Sequence, residues 1–199
     1  MFENQNMNKE LKILFNKHKG YLNKQQIPDR KMYIQLLKMV ESGKIVRLKR
    51  GIYYSSSKMS DVMIDIDKIV PNGVLCMFSA WFHYQLTTQI PQSFNIAIEK
   101  NHKVVLPDYP LITLYYWKQE YHELGVIRQT INGYIVNIYD LEKSVCDAIK
   151  YRTKIGMDVS SEILKNYLKR RDRNLSKLNE YAKNMRIEKI LRTYLEIQL

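Results

Sequence analysis

Apolar positions near the amino terminus recur at helical spacing. Met7, Leu11, Leu14 and Phe15 share one helix face. Gly20 follows, where a C-terminal cap glycine is expected. Asn23 is placed to cap a very short second helix that ends near Ile27. Pro28 and Asp29 open a longer one. Its apolar positions, Met32, Tyr33, Leu36, Leu37, Met39 and Val40, cover one side at about 100° per residue. The other side collects Arg30, Lys31, Ile34, Gln35 and Lys38, and Gly43 ends the helix. Two β-prone runs, 44–48 and 52–54, flank Lys49-Arg50-Gly51 and predict a hairpin with a basic tip.

Beyond the small polar seam at 55–58 the pattern changes. A helix is expected over 61–69, a turn at Pro71-Asn72-Gly73, and a helix capped by Ser79 and stopped by Pro91. Residues 94–98 and 111–117 read as strands. Residues 126–131 and 134–139 flank Asn132-Gly133, a strong hairpin signal. Helices then open at Asp140, Asp158 and Asn174, and a last one carries Ile187, Ile190, Leu191, Tyr194 and Leu195. The expected fold class is α+β. A winged helix-turn-helix occupies 1–56, and an α+β domain with a small, mostly antiparallel sheet and a helical tail occupies 57–199.

Charge sharpens this division. Residues 1–54 hold 12 Lys/Arg against 4 Asp/Glu, residues 55–150 hold 8 against 10, and residues 151–199 hold 12 against 6. Two basic ends therefore flank a near-neutral middle. Such a field attracts phosphate backbones and acidic surfaces alike. A basic amphipathic helix alone is an ordinary solvated surface. With a basic hairpin beside it, it suits double-stranded DNA: the polar face of the helix carries amide and cationic side chains that can meet base edges or phosphates, and the tight turn puts Lys49 and Arg50 where they can approach a phosphate strand. A second basic patch is expected from Arg152, Lys154, Lys169, Arg170, Arg171 and Arg173.

Other chemistry is sparse. Cys76 and Cys146 sit among apolar neighbours and read as buried free thiols. The four histidines have no metal-ligand spacing, so no metal and no cofactor are expected. Glycine loops of the phosphate-binding kind and a nucleophile elbow are missing from the sequence. Asp140-Leu141-Glu142-Lys143 resembles a metal-dependent nuclease run, but its lysine directly follows the second acid, and a capping role fits better. Tyr115, Tyr116 and Trp117 could stack on bases or face a core. No long apolar run and no basic leader with an apolar core occur, so a cytoplasmic protein without a membrane partner is expected.

Four segments carry a resemblance. GKIVRLKRGIY over 43–53 looks like the wing of AbiEi-type regulators, and SAWFHYQLT over 79–87 is similar to their helix after the linker. IYDLEKSVCD over 138–147 resembles their "YDxEKTVCD" segment, which YRTKIG over 151–156 continues. The order matches over nearly the whole chain, with a shorter second helix here. The resemblance implies an antitoxin of a type IV toxin–antitoxin, abortive-infection system. Its winged helix would repress its own operon at inverted repeats, with Arg30, Lys31, Gln35 and Lys38 reading or positioning DNA and Arg47, Lys49 and Arg50 gripping phosphates. Its C-terminal domain would counteract a nucleotidyltransferase-like toxin without a stable complex. It implies no enzymatic activity. The alternatives are a stand-alone regulator with a ligand- or protein-binding second domain, and a divergent metal-dependent nuclease.

Overall fold

The structure, a computed structural model, describes residues 2–18, 20–55, 66–107 and 110–198. The chain divides into two compact units, one of 1–64 with 104–110 and one of 65–103 with 111–199. The seam expected near residue 56 lies outside the described residues. Among those described, no helix is long and apolar enough to cross a membrane.

The first unit opens with α1 (Phe2–Lys17). Gly20, at φ +89°, closes its end by donating from its N–H to the Phe15 carbonyl. Strand β1 (Tyr21–Asn23) follows, then a 3₁₀ turn (Lys24–Gln26) held by a capping box at Asn23. Helix α2 (Arg30–Glu41) starts at Asp29, whose Oδ1 accepts from the Met32 N–H at 2.7 Å. Strands β2 (Ile45–Lys49) and β3 (Ile52–Ser55) form the hairpin, and β3 is central in a three-stranded antiparallel sheet, β1-β3-β2. Leu11, Phe15, Leu22, Met32, Leu36, Ile45 and Tyr53 form the core. The apolar stripes that set the two helices thus meet on one sheet face.

The second unit contains α3 (Ile66–Ile69), β4 (Val74–Leu75), α4 (Met77–His83), β5 (Phe94–Glu99), β6 (Ile112–Trp117) and α5 (Gln119–His122). After them come β7 (Val126–Ile131), β8 (Tyr134–Tyr139), α6 (Leu141–Lys150), α7 (Arg152–Ile155), α8 (Met157–Leu168), α9 (Leu175–Asn184) and α10 (Glu188–Gln198). Of the helix expected over 61–69, the last turn is present, and 61–65 lie outside the described residues. The sheet runs β6-β5-β4-β8-β7. It is mixed rather than mostly antiparallel: β4–β8 and β5–β6 are parallel, while β4–β5 and β7–β8 are antiparallel. The segment between β5 and β6 is long enough to carry the chain back to the starting edge, which makes that pair parallel. Asn132 and Gly133, both at positive φ, make the tight β7–β8 turn.

Three local expectations change. Ser79 lies inside α4, where its Oγ accepts from the Asn95 N–H at 2.8 Å, and Cys76 holds the cap position. That helix stops at His83, well before Pro91, because Gln85 turns left-handed. Helix α8 starts one residue ahead of Asp158, after Gly156 at φ +101°. Asp140 and Asn174 cap α6 and α9 as expected.

Helix α9 ends in a Schellman motif. The Arg186 N–H donates to the Lys183 carbonyl, and the Ile187 N–H to the Ala182 carbonyl. The left-handed position, usually glycine, is Arg186 at φ +57°. A side chain there costs about 1–2 kcal/mol.

Candidate nucleic-acid interface

At about 100° per residue, Arg30, Ile34, Lys38, Lys31 and Gln35 fall on one arc of α2. Arg30, Lys31, Ile34 and Lys38 are exposed, and Gln35 is half-buried. Glu41 shares the arc and reduces its charge. The opposite side is fixed by Met32 and Leu36 in the core. Tyr33 ties α2 to the hairpin: its hydroxyl lies 3.1 Å from that of fully buried Tyr53. Burial and this contact push the Tyr53 phenol up to about 12, so the hydrogen bond persists at any physiological pH.

The hairpin presents its cations by burying what lies between them. Leu48 is fully buried while Arg47 and Arg50 are exposed. Pairing shifts between Arg47 opposite Tyr53 and Lys49 opposite Ile52, which is a bulge. The Lys49 side chain lies outside the described residues. Gly51, at φ +82°, closes the turn, and its carbonyl accepts from the Lys24 N–H at 2.7 Å. This bond brings Lys24 beside the tip, with its Nζ over the Tyr33 ring at 4.9 Å. Sequence spacing carries no sign of Lys24, because the contact depends on β1 pairing with β3.

The second basic patch separates into two groups. Arg152 and Lys154 lie before α8, and Lys169–Arg173 after it, about 18 Å apart along the helix axis. Arg152 donates to the Ile149 carbonyl, and Lys154 lies over the Tyr151 ring. Arg170 is held bidentately by Asp172 at 2.7 and 2.8 Å and donates its remaining arm to the Tyr84 carbonyl. Arg173 donates to the Arg170 carbonyl. Within the run Arg170 closes a loop, while Lys169, Arg171 and Arg173 remain exposed cations. The aromatic run is similar: Trp117 is buried, Tyr115 donates to Asn95 Oδ1, and Tyr116 is exposed.

The nuclease-like run builds the centre of the second unit. Asp140 accepts from the Lys143 N–H at Oδ1 and from Tyr181 at Oδ2, with Lys177 Nζ at 3.0 Å. Glu142 accepts from the Tyr167 hydroxyl and the Asn174 N–H, with Lys177 at 3.8 Å. Lys143 is fully buried, 2.7 Å from Asp147, with its ammonium 4.2 and 4.1 Å from the Trp117 and Tyr139 ring centres. These acids fasten α6 to α8 and α9. Gly125 packs against the same cluster at φ +73°, where an added Cβ would lie 2.7 Å from Lys143 Cβ. Gly125→Ala is therefore expected to cost about 1–3 kcal/mol in urea unfolding, and an unchanged midpoint would contradict this close packing.

His122 adds a pH dependence. Its Nε2 is buried and makes no hydrogen bond among the described residues. Burial holds the imidazole below its ordinary value, against the pull of the Ala97 carbonyl and of Glu99 and Glu123. On acidification the unfolded chain therefore takes its proton first, near the usual value of about 6.5. Stability is full above that pH and falls as pH drops toward the folded-state value. His122→Gln should lose less stability than wild type between about pH 7 and 5.5; parallel losses would show that the folded imidazole protonates freely.

Among protein-family models and curated proteins, none matches this chain.

Proposed function

We propose that this protein is a DNA-binding antitoxin of the AbiEi kind, with its first unit a winged helix-turn-helix. The observation that carries the reading is the coupling of the exposed arc of α2 to a hairpin with Arg47 and Arg50 outward and Leu48 inward. Element order supports it too: helix, strand, short turn, helix, two-stranded wing. In this reading α2 enters the major groove, and Arg30, Lys31, Gln35 and Lys38 meet bases or phosphates. Arg47, Lys49 and Arg50 grip the backbone. The protein represses its own operon at inverted repeats and counters a nucleotidyltransferase-like toxin without a stable complex. The resemblance of the IYDLEKSVCD segment motivates the antitoxin half.

The nuclease alternative draws no support from Asp140 and Glu142, since folding contacts and Lys177 occupy both carboxylates. The deciding experiment is binding of the purified protein to its own upstream DNA against scrambled DNA across salt. Preference for the upstream sequence, with affinity falling steeply as salt rises, is expected. Equal affinity for both would remove the operator reading.

A further inference from the structure

A cleft of about 390 Å³ opens in the second unit between the end of α5 and three strands. Its floor is a row in register across the sheet: Val74 of β4 beside Asn137 of β8, and Asn137 beside Arg128 of β7. Val126 stands two residues before Arg128 and so on the same face. Glu123 closes the α5 side, where Tyr139 donates its hydroxyl to the His122 carbonyl at 2.8 Å and ties the helix end to the sheet. Asn137 is the polar exception on β8, whose other residues are Tyr134, Ile135, Val136, Ile138 and Tyr139. Asparagine is disfavoured inside a strand, and this one is half-buried with no side-chain hydrogen bond among the described residues. Arg128 is exposed and pairs with no acid among them. Glu123 engages its Oε1 alone, with the Gln119 amide at 2.9 Å. Polar groups with free bonding capacity, set on an interior strand against local preference, mark a binding site more than a packed face.

We infer that this cleft binds a free α-amino acid with an aliphatic side chain. The groups match one by one. The Arg128 guanidinium takes the carboxylate bidentately. The Glu123 carboxylate takes the ammonium, and the Asn137 amide both donates and accepts between them. Val74 and Val126 give the aliphatic side chain an apolar wall. Opposite charges that line one cleft without pairing suit a ligand that carries both signs. A purely anionic ligand would set its charge against Glu123. The inference rests on the second unit alone and stands whether or not the first unit binds DNA.

The test titrates the full chain with leucine, valine and isoleucine, each to about 10 mM, and follows the melting temperature. A saturable rise is expected with at least one of them, about 3–6 °C at about ten times its dissociation constant. Two analogues of leucine separate the charges: isocaproate lacks the ammonium and isoamylamine lacks the carboxylate. Each should bind about tenfold more weakly than leucine, or worse. Arg128→Ala should weaken amino-acid binding about 10–100-fold. Asn137→Val should weaken it too, while raising the melting temperature of the ligand-free protein by about 2–4 °C, because valine suits a strand and leaves no unpaired amide. A gain of stability with a loss of binding is not what a packing residue gives. Absence of a saturable rise with all three amino acids overturns the inference. Equal affinity for either analogue, or for inorganic phosphate, also overturns it, in favour of a plain ion or apolar site. Unchanged amino-acid affinity in the folded Arg128→Ala and Asn137→Val variants would place the ligand elsewhere and overturn it as well.

Discussion

Asp147→Asn is expected to destabilise the second unit by about 3–5 kcal/mol, the usual effect of breaking a buried ion pair from one side. The residue is 1% exposed and accepts two hydrogen bonds from Lys143 Nζ, at 2.7 and 2.9 Å. Lys143 is itself fully buried, so a neutral amide leaves an ammonium without a counterion and without water. Burial already pushes the Asp147 carboxyl above its usual range, and Lys143 pulls it back. The Trp117 and Tyr139 rings offset part of the loss, at about 0.5–2 kcal/mol each. In thermal unfolding the change corresponds to roughly 6–20 °C. The double variant Lys143→Met/Asp147→Leu should recover most of it, because removing both charges removes the desolvation penalty and methionine keeps the ring contacts. An Asp147→Asn protein that melts with wild type would mean that the pair is open to solvent.

The same segment shows what a sequence discloses. That Asp140 caps a helix is legible, since a cap acts three residues away and needs no tertiary partner. Asn23, Asp29, Asn174 and the Asn132-Gly133 turn are legible for the same reason. Lys143 and Asp147 can be seen as an i, i+4 pair. Their burial cannot, because it depends on Trp117 arriving from β6 to close over Lys143 together with Tyr139. The two parallel pairings escape local reading too: β4 is two residues long, and it meets β8 more than sixty residues later. Charge runs are legible only in part. The run 169–173 is conspicuous, yet Arg170 is consumed by Asp172 and Tyr84. Lys183, Arg186 and Lys189 are spread three apart and draw no notice until a turn gathers them.

Arg47→Ala/Arg50→Ala should leave the fold intact and weaken DNA binding on every sequence. Both side chains are exposed, and the hairpin is held by Leu48, Tyr53 and the β2–β3 ladder, so stability should change by no more than about 0.5 kcal/mol. A phosphate that no cation neutralises keeps its counterions, so removing two cations should lower the salt slope by about 1.8. The weakening should be equal on upstream and scrambled duplexes, because phosphates carry no sequence. Lys38→Ala on α2 should behave differently. If its ammonium meets a base edge in the groove, its removal costs about 1–3 kcal/mol on the operator and little elsewhere. The pair of measurements therefore assigns each element its task. Uniform weakening from the hairpin with selective weakening from α2 is the signature of a wing and a recognition helix. Uniform weakening from both would make α2 a backbone clamp, and the operator would then be recognised through its shape. Undiminished binding by the hairpin variant would separate the hairpin from DNA altogether and leave its cations to an acidic protein.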